Sequence, residues 1–322
     1  MKDNSNSITF KIIGGLGNQL FGYFFGLAVA NRLKTPLTID GSLIKFGSNK
    51  TRVANVHNFV ISNEKVFFAS LRDKYLKFFV SNRYFRKLYW VIVSKFSPNL
   101  TEDHVKAQGF KFEINKSYTG YFQNWFYADY YFAKNAGASF DLIEKSKKYL
   151  ETYEKMRELN PICVHLRIGD YLNFPEVYGI IPTQYFTYCI SLLREESINR
   201  PVWLFIESRS DLSLFYKDLL TGYIEIFDQD SGLTDSETFM LLCNSKSLVA
   251  TNSTFSLWAA WFVWKKGNKA YIPFSSYINS ESNLLMDERW DRYDFENDIF
   301  YPGKFNQERY DVLEKEFLSK FA

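Results

Sequence analysis

The sequence predicts an α/β protein built from two halves, each a parallel sheet with helices, with the site in the cleft where the halves face each other. Three observations carry this. Short strand-like runs of apolar and β-branched residues alternate with segments whose apolar residues recur at helical spacing. That alternation starts twice, once at Phe10 and again near Asn160. The chain has 322 residues, about two domains at roughly 100–200 residues each. The boundary is expected near residue 155, giving an N-terminal domain over 1–155 and a C-terminal domain over 156–322.

The first start reads "ITFKII" as a strand, "GGLGN" as a turn, "QLFGYFFGLAVANRLK" as a helix and "PLTID" as the next strand. Residues 41–115 are mixed and give no clear order. "SYTGYFQNWFYADYYF" predicts a strand followed by a helix, and "LIEKSKKYLETYEKMREL" a charged helix with an apolar stripe. The second start, "NPICVHLRIGDY", is a short apolar strand ending in polar residues. "IPTQYFTYCISLLREE" follows as a helix with Pro182 near its start. "PVWLFIES", "GYIEIFD", "LVATN" and "KAYIPF" are then strands. "SDLSLFYKDLL", "DSETFMLLCNSKS" and "STFSLWAAWFVWK" are the helices between them, the last capped by Ser253 or Thr254. "MDERWDRYDFENDIF" reads as a solvated acidic loop with aromatic anchors.

Composition narrows the function. Hydrophobic content of 46% with 23% charged residues is that of a folded globular chain. A net charge of +3 is too small to point to nucleic acid. Cys163, Cys189 and Cys243 form no CxxC pair, which predicts reduced thiols and a cytoplasmic protein. The polar start "MKDNSNSITF" does not read as a secretory signal. No apolar run reaches the roughly 18–20 residues a bilayer span needs. The segment Tyr75–Phe96 mixes aromatics with Lys77, Arg83, Arg86, Lys87 and Lys95. It reads either as a helix with a solvated basic face or as a peripheral contact with an anionic leaflet.

Three stretches hold groups able to do chemistry. In the opening turn, Gly15 and Gly17 match the first two glycines of a dinucleotide fingerprint, but its third position falls on Leu20. What remains is a tight turn with Asn18 and Gln19 offering amide donors and acceptors, or simply Asn18 as a helix cap. In "VHLRIGDY", His165, Arg167 and Asp170 cluster at the end of a strand, where open α/β sheets bind ligands. Arg167 is a fixed cationic fork suited to phosphate, or the partner of Asp170 in a strand-end salt bridge. In "ATNSTFSLWAAWF", Asn252, Ser253, Thr254 and Phe255 open a helix, and a helix N-terminus is an anion site as well as a place for ordinary caps. No metal is expected. "DQD" at Asp228–Asp230 is too short a pattern to carry one, and His57, His104 and His165 show no zinc spacing.

"GGLGNQLFGYFFGLAVA", "GYFQNWFY", "VHLRIGDY" and "ATNSTFSLWAAWF" together, in this order and spacing, resemble the α-1,2-fucosyltransferases of glycosyltransferase family 11, over about residues 10–275. The resemblance implies a GT-B-like pair of Rossmann-type domains, with the acceptor and glycine turn in the first and the nucleotide sugar in the second. It implies inverting transfer of L-fucose from GDP-β-L-fucose to the 2-hydroxyl of a galactoside, with neither metal nor cofactor. Arg167, Asn252, Ser253, Thr254, Phe255 and Glu207 would hold the donor. Gly15, Gly17, Asn18 and Gln19 would line the cleft. The base is left open among Asp170, Glu207 and His165. The expected setting is bacterial surface polysaccharide (O-antigen) synthesis on a glycan acceptor, lipid-linked, at the inner membrane. Two departures stand out. Ile168 occupies the place of a usual second arginine, and "FIES" replaces an acidic strand end, leaving Glu207 as its carboxylate. The alternatives are another nucleotide sugar on the same fold, or a non-catalytic sugar-binding relative.

Overall fold

The structure is a computed structural model. It describes residues 7–41, 43–44, 55–61, 66–68, 99–173, 175–195, 199–210, 212, 216, 219, 224–274 and 285–321, apart from the side chains of Asn99, Asp170, Glu176 and Val177. The chain divides into two compact units, Met1–Phe140 with Gln307–Ala322, and Asp141–Asn306. The sequence reading put the boundary near 155 and kept the C-terminus in the second half. In the structure the helix Lys147–Leu159 belongs to the second unit, and the helix Gln307–Ser319 to the first. Aromatic packing explains the latter. Phe317 is buried and meets Phe126 and Tyr130, while Phe321 meets Phe112.

The first unit holds a five-stranded sheet in the order Val66–Phe68, Leu37–Asp40, Ile8–Lys11, Ser117–Thr119, Asn99–Thr101, every neighbouring pair parallel. The helix Leu16–Leu33 lies against this sheet, and glycine lets it come close. A Cβ at Gly22 would run into the Phe10 ring, and one at Gly26 would sit 2.8 Å from Leu37. Close helix–strand packing is the task of the third glycine in a dinucleotide fingerprint. Here it falls to Gly22 and Gly26, and Leu20 is simply core.

The second unit holds a seven-stranded sheet in the order Ile224–Phe227, Val202–Phe205, Ile162–His165, Ser247–Val249, Lys269–Pro273, Asp291–Asp294, Ile299–Tyr301. All pairs are parallel except the last. The four strand residues from Ile162 and the four from Val202 are buried throughout, as a sheet covered on both faces requires. The stretch read as an acidic loop instead supplies the antiparallel edge pair. Trp290 and Tyr293 are buried, and Asp294 is buried beside them, its carboxylate accepting from the Glu296 and Asn297 amides at the turn between the two strands. The helix expected over 210–220 and the basic aromatic segment Tyr75–Phe96 lie largely or wholly outside the described residues. Among the described residues, no helix is long and apolar enough to cross a membrane.

Candidate functional site

The strand order of the second unit locates its site. From Ile162–His165 the chain builds outward through Val202–Phe205 to Ile224–Phe227. It then returns to add Ser247–Val249 on the other side. The order therefore reverses between Ile162–His165 and Ser247–Val249, and the crevice beyond the carboxyl ends of two such strands is where open α/β sheets bind ligands. "HLRIGD" leaves one of these strands and "TNSTFS" the other.

His165 ends its strand buried, its ring stacked on Phe255 with centroids 5.1 Å apart. Burial, and secondarily the Arg167 charge, pushes its pKa down to about 3. Its Nδ1 is buried and has no hydrogen-bond partner among the described residues. Arg167 donates from Nη1 to Glu207 Oε2 at 3.1 Å and lies 5.8 Å over the Tyr171 ring. Its side chain is 32% exposed and that of Glu207 53%, so the pair sits at a wet surface. Gly169, at φ +30°, makes the pair possible, because a Cβ there would run into Glu207 Oε2. Asp170 lies in the turn Gly169–Asn173, and its side chain is outside the described residues. Ile168 is 1% exposed and belongs to the hydrophobic core, so this position turns inward.

The other strand feeds the helix Thr254–Lys265. Ser253 caps it, accepting from the Ser256 amide at 3.2 Å, and Ser256 Oγ accepts from the Thr251 amide at 2.8 Å. These hydroxyls are thus spent on the turn itself. The first amides of any helix have no partner within it, and its dipole favours an anion there. No acidic residue stands in this first turn. Asn252 is buried and donates to the Tyr178 carbonyl at 2.6 Å, and Tyr178 stacks on Tyr171 at 4.6 Å. Tyr171, Tyr178 and Gly169 were not singled out from the sequence. The aromatic pair is seven residues apart with Pro175 between them, and no regular apolar repeat in that stretch singles the two rings out.

Asp228 of "DQD" accepts from Arg209 Nε at 2.5 Å and from Ser231. Burial raises its pKa, but these bonds outweigh that and hold it low. It is thus a turn-forming carboxylate. In the first unit, Gly15 is the helix N-cap and Asn18 sits inside the first turn, accepting from Gln123 Nε2 at 2.9 Å. Gln19 is fully buried, donating to the Gly14 carbonyl and accepting from the Val56 amide, so it braces the turn. A Cβ at Gly15 meets nothing within 4 Å. Gly17 is buried in the same turn.

Residues 7–283 match the family model described as Glycosyl transferase family 11. The Escherichia coli α-1,2-colitosyltransferase is 23% identical over 270 residues, 79% of this chain and 87% of that protein. The E. coli O-antigen biosynthesis glycosyltransferase WbnK is 23% identical over 299 residues, 85% of this chain and 96% of that protein. Among solved structures, the selenomethionine fucosyltransferase NodZ from Bradyrhizobium superposes with a TM-score of 0.50 at 12% identity. That match covers 92% of this chain and 99% of NodZ, a likeness of fold.

Proposed function

The chain belongs to glycosyl transferase family 11, and from that premise we propose that it transfers L-fucose from GDP-β-L-fucose to the 2-hydroxyl of a galactoside, with inversion, in surface polysaccharide synthesis. The observation that carries this is the half-exposed Arg167 fork at the strand-order reversal of the second unit, beside a helix head without acid. In this reaction the bond between the sugar and the GDP oxygen breaks as the acceptor oxygen attacks. Negative charge grows on the β-phosphate, and preorganised donors meet it. Arg167 supplies the cation, and the helix at Asn252–Phe255 the dipole.

His165 keeps a neutral imidazole across the physiological range, and a base that weak takes up the acceptor proton poorly. Its unpartnered Nδ1 instead suits a hydrogen bond to the donor. The base role is left to Glu207 or Asp170. The turn Gly15–Gln19 is assigned to the acceptor side. No resident metal or cofactor enters the proposal. Peripheral membrane contact through Tyr75–Phe96 stays part of it.

A second reading keeps the site and changes the sugar. The similarity to a colitosyltransferase favours it, because the donor's sugar differs there while the linkage is named alike. GDP-fucose and GDP-colitose offered side by side with a β-galactoside, with product mass read directly, decide between the two. For the shared chemistry, Arg167→Ala is expected to lower turnover by about 10²–10³-fold. Activity within a few-fold of the parent would remove Arg167 from the phosphate role.

A further inference from the structure

One buried side chain joins the two segments that leave the strand-order reversal of the second unit. Asn252 follows the strand Ser247–Val249 and is 5% exposed. Its amide nitrogen donates to the Tyr178 carbonyl at 2.6 Å, 74 residues earlier in the chain. Tyr178 ends the short helix Pro175–Tyr178, and the last carbonyls of any helix need partners from outside it. That helix and the turn Gly169–Asn173 before it follow the strand Ile162–His165. Asn252 therefore reaches from beyond one strand to the segment beyond the other.

Asn252 itself is held from both sides. The Thr251 amide donates to Ser256 Oγ at 2.8 Å, and Ser253 Oγ accepts from the Ser256 amide at 3.2 Å. Thr251, Ser253 and Ser256 are all buried. From Tyr178 the contacts continue to Arg167. The Tyr178 ring stacks on that of Tyr171, with centroids 4.6 Å and planes 18° apart. The Arg167 guanidinium carbon lies 5.8 Å over the Tyr171 ring. Leu166 and Ile168, on either side of Arg167, are each 1% exposed and anchor its backbone in the core. What remains to be fixed is the long side chain, and a cation that meets developing charge works best when it is fixed before substrate arrives.

The family resemblance alone made Asn252 a ligand of the donor. A side chain 5% exposed, with its nitrogen engaged by a carbonyl, offers a ligand little. We infer that Asn252 is a positioning residue: it fixes the segment that carries Tyr178 and Tyr171 and, through those two rings, the Arg167 guanidinium. This rests on the transferase reading, which gives Arg167 to the donor's diphosphate.

The test is a double-mutant cycle in kcat/KM for GDP-fucose with a β-galactoside acceptor. Asn252→Ala is expected to lower kcat/KM by about 10- to 10²-fold, the cost of misplacing a catalytic group by up to about an ångström. In an Arg167→Ala background the same change is expected to cost less than about twofold, because nothing is left to position. An equal loss in both backgrounds, as a direct donor contact or a general loss of folding would give, overturns the inference. So does an Asn252→Ala enzyme equal to the parent. Tyr171→Leu leaves Asn252 in place and serves if Asn252→Ala does not fold. It is expected to lose as much, Tyr171→Phe to recover most of it, and a Tyr171→Leu loss undiminished in the Arg167→Ala background refutes the relay. If the parent neither transfers nor hydrolyses GDP-fucose, the transferase reading fails by itself. Positioning is then read without substrate from the NMR relaxation of the Arg167 Nε–Hε group. Greater side-chain motion in Asn252→Ala supports it, and unchanged relaxation refutes it.

Discussion

Arg167 already has an anion, and that makes Glu207 the most informative residue to change. Its carboxylate takes a guanidinium hydrogen bond at 3.1 Å, and the proposed function gives that guanidinium to a diphosphate oxygen. Glu207→Gln keeps the size and removes the charge. With side chains 32% and 53% exposed, the pair is a solvent-screened one, worth about 0.2–1 kcal/mol. GDP must give up that much to displace Glu207, so Glu207→Gln is expected to bind GDP about 1.4- to 5-fold more tightly by calorimetry. The gain should shrink as salt rises, because it is a surface charge effect. If Glu207 is also the base, kcat for transfer falls by about 10²–10⁴-fold in the same variant, splitting binding from chemistry. Weaker GDP binding in Glu207→Gln refutes the competition. It would make Glu207 a donor ligand, as the family resemblance alone suggested.

His165 predicts a pH dependence of stability. Its pKa falls from 6.5 unfolded to about 3 folded, so the unfolded chain holds the extra proton and stability is lost as pH drops through that window. The slope is about 1.4 kcal/mol per pH unit, and denaturant melts of His165→Gln should show it flattened between pH 6.5 and 3. Gly22→Ala should lower stability by about 1–3 kcal/mol, since its methyl has only the Phe10 ring to displace. Gly15→Ala, with open space around its Cβ and φ at −77°, should leave the melting temperature within a degree or two. A loss of transfer in Gly15→Ala at unchanged melting temperature would mark the turn as substrate-facing, and full activity would make it structural.

The local pattern in the sequence carried the elements, and chain order in space carried the site. Alternating runs and helical spacing were sufficient to find the two starts, because each strand and helix keeps its own apolar face. They could not show that strand 162–165 has 202–205 on one side and 247–249 on the other. That neighbour relation is what turns "HLRIGD" and "NSTFS", about eighty-five residues apart, into one place. Single letters misled where packing decided. Leu20 looked like a broken fingerprint, yet the close approach it was meant to provide occurs at Gly22 and Gly26, one helical turn apart. Ile168 looked like a lost cation, yet its side chain points into the core. In the proposed reaction the donor's charge is therefore assigned to Arg167 with the helix head, and the test of that assignment runs through what Arg167 touches.

The same reasoning applied to the first strand gives a different result. "ITFK", "LTID" and "SYT" alternate apolar and polar residues, as a half-solvated strand does. In the structure they are parallel neighbours with Thr38 and Lys11 buried. Alternation in a parallel sheet is a conflict between local pattern and surroundings, and such conflicts concentrate at functional sites. The glycine turn that follows drew attention because it has a motif. The residue three places before it has none, yet the fold buries its side chain on the polar face of the sheet, with Asp40 in register on the next strand.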